Sequence, residues 1–149
     1  MKKLIFSLAF LITALWANAQ GPIKQWNDKL DDFIEVFNQT TPLLNNLYGE
    51  NGVTDTFIFT YFEPESGNVV METSIADNDD YNEINQDVMR DAKEIVVDHL
   101  NQSAANSARQ REIMNEFAKR NTNIILLYST PKNGESVTKK ITITPNDIR

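Results

Sequence analysis

The most concentrated acid in the chain is the run Asp77-Asn78-Asp79-Asp80-Tyr81-Asn82-Glu83. Calcium takes several carboxylate and carbonyl oxygens, and extracellular sites of modest affinity are built from runs of this kind. Asp77, Asp79 and Asp80 are therefore candidate metal ligands. Aligned to an EF-hand loop starting at Asp77, the run has acids at the first and third positions and Ile84 at the eighth. Tyr81 stands at the fifth position, Asn82 where the turn needs glycine, and Val88 where a bidentate acid belongs, so this is not an EF-hand. A helix start explains the same residues more simply. Asp80 serves as N-cap, Glu83 as its capping-box partner, and the other acids are favoured by the helix dipole.

His99 is the only histidine, and cysteine is absent. Nucleophilic catalysis through His99 needs an orienting carboxylate and a nucleophile. Its sequence neighbour Asp98 points elsewhere on a helix, and no Gly-x-Ser-x-Gly elbow is present. The sequence favours a half-buried helical His99 over a catalyst. Carboxylate pairs for glycoside hydrolysis arise by chance in a chain with 21 acids, so they carry little information. The five glycines, at 21, 49, 52, 67 and 134, form no phosphate-cradling loop. No catalytic residue and no cofactor is indicated.

The remaining chemistry is aromatic. Phe57, Phe59 and Tyr61 alternate along one face of a strand pattern, with Ile58, Thr60 and Phe62 on the other. If only one side of the sheet is covered, an aromatic row is exposed, and such a row marks a binding surface. The competing expectation is that helices cover both faces and the row is core.

The elements that must position these residues follow from periodicity. Ile23, Trp26, Leu30, Phe33 and Phe37 form a helical stripe opening at Pro22, with an expected break over Gln39-Thr40-Thr41-Pro42 and a short continuation through Leu43, Leu44, Leu47 and Tyr48. Residues 53 to 75 read as a hairpin turning at Glu63 to Asn68. Ile84, Val88, Ala92, Ile95 and Val96 begin the longest helix. Asn101 to Asn106 is a weak point, and Ser107-Ala108-Arg109-Gln110 signals a restart. Residues 123–129 and 137–144 form a second hairpin around Asn133-Gly134. The expected class is α+β: helices packed on one face of a roughly four-stranded antiparallel sheet, in the order αββαββ.

Lys2 and Lys3, the apolar run Leu4 to Trp16 and the small-x-small site Ala17-Asn18-Ala19 have the order of a bacterial-type signal peptide over residues 1–19. Residues 20–149 are then a single secreted or periplasmic domain, not embedded in a membrane once the signal is removed. Its acidity disfavours nucleic acid, which needs clustered Lys and Arg. The expected function is a non-enzymatic binding or interaction domain with a protein partner or small ligand. The alternatives are a small carboxylate-dependent hydrolase and an inhibitor-like protein that docks on an envelope enzyme.

Overall fold

The structure, a computed structural model, describes Asp31 and residues 33–148. The expected signal peptide and the stripe from Pro22 to Leu30 lie outside the described residues. The rest is α+β, with a four-stranded sheet in the order β1-β2-β3-β4. Strands β1 (Thr56–Glu63) and β2 (Asn68–Ile75) form one hairpin. Strands β3 (Ile124–Lys132) and β4 (Glu135–Ile143) form the other. Lys132 pairs with Glu135 across Asn133 and Gly134, whose φ angles of 54° and 83° are the positive values a type I′ turn requires.

The sheet is mixed rather than antiparallel throughout. Strands β2 and β3 run parallel, from Val69 opposite Ile124 to Ser74 opposite Ser129. The cause is the connection between them. A tight hairpin reverses the chain, whereas a long helical crossover carries it back to the end where β2 began, so β3 enters in the same direction. That crossover holds three helices, one more than the long helix and its restart expected from the sequence: α2 (Asn78–Glu83), α3 (Gln86–Asn106) and α4 (Ala108–Arg120). A fourth helix, α1, precedes the sheet over residues 33–50, and a short 3-10 turn, Pro145–Asp147, follows it.

Helix starts are set by short polar side chains. Asp77, not Asp80, caps α2, its carboxylate accepting from the Asp79 N–H at 2.7 Å. Asn85 caps α3 by accepting from the N–H groups of Asp87 and Val88 at 2.9 and 3.1 Å. Ser107 ends α3 and starts α4, as its sequence context suggests. The end of α2 is closed from the sheet: Lys139 donates to the carbonyls of Tyr81 and Ile84 at 2.8 and 3.0 Å and lies 4.1 Å over the Tyr81 ring. Burial lowers the Lys139 pKa.

Helix α1 runs through Pro42 without the expected break. Thr40, fully buried, donates from its hydroxyl to the Phe37 carbonyl at 2.6 Å. Phe33, Phe37, Leu44 and Tyr48 hold both sides of the proline in the core. Tertiary packing outweighs the local preference of the residue before proline.

The core lies between the helices and one face of the sheet. Met71, Ile75, Ile124, Leu126, Tyr128 and Ile143 supply the sheet side. Phe33 meets Phe117 of α4 with ring centroids 4.2 Å apart, and the Tyr48 hydroxyl reaches that of Tyr128 at 3.2 Å. Burial raises the pKa of both tyrosines, so both stay neutral phenols.

Candidate binding face

Side chains paired across a sheet share a face, so the register defines what the uncovered side carries. One row is Phe57, Ser74, Ser129 and Thr138. The next is Phe59, Glu72, Leu127 and Lys140, and the third Tyr61, Val70, Ile125 and Thr142. Among the described residues no helix packs over Phe57, which keeps 68% of its surface exposed, or over Phe59, which keeps 37%. The three aromatic candidates therefore stand together on the open face. Phe57 and Phe59 lie 5.7 Å apart between centroids with planes 31° apart; Phe59 and Tyr61 lie 5.7 Å apart at 22°.

The spacing has a chemical consequence. A flat ligand inserted between two rings needs contact distance on both sides, about 7 Å in all. The rings of β1 are closer than that, so they form a continuous apolar ridge with no slot between neighbouring rings. Such a ridge suits a shaped macromolecular surface.

Beside the ridge is one ordered carboxylate. Glu72 accepts from the Ser129 hydroxyl at 2.6 Å and from the Tyr61 hydroxyl at 3.2 Å. Tyr61 is correspondingly raised in pKa, first by burial and then by the neighbouring Glu72 charge. Past Phe57 the same face opens into a shallow cleft of about 330 Å³, lined by Ser74, Ser129, Pro131, Glu135 and Ser136 among others. Alternation along β2 already puts Glu72 with Val70 and Ser74; its link to Ser129 depends on the β2–β3 register, which has no local sequence signal.

The acidic run does other work. Asp77 is a cap, and Asp80 accepts from the Thr54 N–H at 3.1 Å, tying α2 to the segment before β1. Asp79 is exposed. Among the described residues no three His, Asp or Glu side chains converge in a group that could hold a metal ion. His99 is half-buried on α3, facing a groove of about 370 Å³ with Gln39, Gln102, Asn106 and Gln110. Among the described residues its buried Nε2 finds no hydrogen-bond partner, and no carboxylate lines the groove to orient it.

Among the described residues no helix is long and apolar enough to cross a membrane. Comparison of the chain with protein-family models, curated proteins and solved structures finds no match.

Proposed function

We propose that this chain is an exported, non-enzymatic binding module that engages a protein partner through the open face of its sheet. The observation that carries the reading is the contiguous Phe57–Phe59–Tyr61 ridge on the uncovered side, with Phe57 68% exposed. Export rests on the ordered charge, apolar run and Ala17-Asn18-Ala19 site of residues 1–19. In the secreted or periplasmic space, the partners would be envelope or extracellular proteins.

The test expresses the full chain with a C-terminal tag and recovers it, after export, with bound cell-envelope proteins. The recovered mass should begin at Gln20. A stoichiometric partner should be held by the wild type and lost from the Phe57→Ser/Phe59→Ser double variant, whose melting temperature should stay near that of the wild type. A partner held equally by both, or an intact Met1, overturns the reading.

A further inference from the structure

We infer that β1 is an acceptor edge for a strand from a partner protein, and that this strand carries Arg or Lys on the side of the aromatic ridge. The inference rests on the open-face binding reading and specifies its partner. Its first support is the edge itself. Among the described residues strand β1 ends the sheet, and its pairing with β2 is unbroken over all eight residues, from Thr56 opposite Ile75 to Glu63 opposite Asn68. Its sequence, Thr-Phe-Ile-Phe-Thr-Tyr-Phe-Glu, contains neither proline nor lysine. Exposed edges are usually blunted by such residues or by bulges, because their unpaired N–H and C=O groups invite another strand. The opposite edge, β4, does carry Lys139 and Lys140. One edge is guarded and the other is open to strand addition.

Charge identifies the partner's chemistry. Between residues 33 and 89 the chain has eleven carboxylates and no Lys, Arg or His; from 90 to 148 it has nine Lys and Arg against seven carboxylates. The β1–β2 hairpin thus belongs wholly to the anionic half. Asp55 precedes β1, Glu63 ends it, and Glu72 lies directly across from Phe59. Each Glu72 oxygen has accepted one hydroxyl and retains a further acceptor site. A guanidinium or ammonium on an added strand can run its stem over the Phe59 ring toward that carboxylate, combining cation–π and charge-assisted contacts. Self-pairing of β1 is disfavoured by the same charges: an antiparallel copy centred on Phe59 would set Glu63 against Asp55 at both ends.

The test uses the full exported protein and a fluorescent peptide of four Arg-Val repeats, with four Glu-Val repeats as control. The Arg-Val peptide should bind, the Glu-Val peptide should not, and binding should weaken as salt rises. Glu72→Gln should reduce affinity roughly tenfold, as expected for one lost charge-assisted contact, and Phe59→Ser should reduce it further. Amide exchange in β1 should slow on binding. Equal binding of both peptides, insensitivity to both substitutions, or unprotected β1 amides would overturn the inference. Concentration-dependent self-association abolished by Lys140→Glu would also overturn it, by assigning the edge to β4 of a second copy. If the envelope partner still depends on Phe57 and Phe59 but ignores Glu72→Gln and salt, the cationic strand is refuted while the binding role stands.

Discussion

Strand β1 turns Ile58, Thr60 and Phe62 toward the helices and Phe57, Phe59 and Tyr61 away from them. Both sets are apolar enough for a core, yet only one has a core to join. The inward set pairs with Thr73, Met71 and Val69, all buried. The outward set pairs with Ser74, Glu72 and Val70, a mixed row whose carboxylate is held by two hydroxyls. Hydrophobicity alone did not choose between the faces. The helices did: α1 and the crossover from β2 to β3 pack on the same side, and the other side keeps its aromatic residues in contact with solvent.

The sharpest way to break that comparison is to delete one ring from each side. Phe117 is buried, with its ring centroid 4.2 Å from that of Phe33 and the two planes 35° apart. Phe117→Ala should cost about 3–5 kcal/mol, because it removes burial and leaves a cavity. Phe57→Ala should change stability by no more than about 0.5 kcal/mol, as expected of an exposed site. Urea unfolding of both variants measures the difference. Comparable losses would mean that the outer ridge is core in solution, and the binding face would vanish with it.

The local half of the architecture was legible in the residues. Alternation located both hairpins, Asn133-Gly134 announced its turn, and Ser107 announced the restart of helix after Asn106. The failures share a cause. Asp77, Asn78, Asp79, Asp80 and Asn85 are all good caps, so composition could not choose among them; the choice of Asp77 and Asn85 leaves Asp80 free to bind the Thr54 N–H. Pro42 signals a break through local sterics alone, and the packing of Phe37 and Leu44 on either side overrides that signal. The parallel pairing of β2 with β3 is set by where the crossover lands, which no short window contains. Phe57, Phe59 and Tyr61 could be nominated as a row from alternation; that the row faces outward required knowing the helices' side.

A smaller effect probes how the covered side is fastened. Asp147 accepts from the Thr144 N–H at 2.7 Å and pairs with Lys93 of α3 at 3.0 Å, joining the end of β4 to the helical layer. The Thr144 backbone hydrogen bond, foremost, holds the Asp147 carboxyl below its ordinary range; the Lys93 ammonium adds to this. A depressed carboxyl contributes stability that is present above its unfolded pKa and lost as pH falls through the folded one. Asp147→Asn should therefore cost up to about 1 kcal/mol at neutral pH, as for a cap with a partly exposed ion pair. The gap to wild type should close below about pH 4. A pH-independent gap in thermal unfolding would mean that the side chain acts by shape alone.

The smallest expected effect tests the open face without a partner. Burial contributes most to the raised Tyr61 pKa, and Glu72 adds to it by charge and by accepting the phenol proton's hydrogen bond. Glu72→Gln should therefore bring the Tyr61 titration part of the way back toward an ordinary phenol, leaving the portion due to burial. NMR with ring-labelled tyrosine separates Tyr61 from Tyr48, Tyr81 and Tyr128. A partial downward shift at Tyr61, with the other three unchanged, places an ionised carboxylate against the ridge in the free protein. An unchanged Tyr61 would leave the ridge purely apolar. The contrast between the two faces would then reduce to exposure alone, and a cationic partner would lose its anchor.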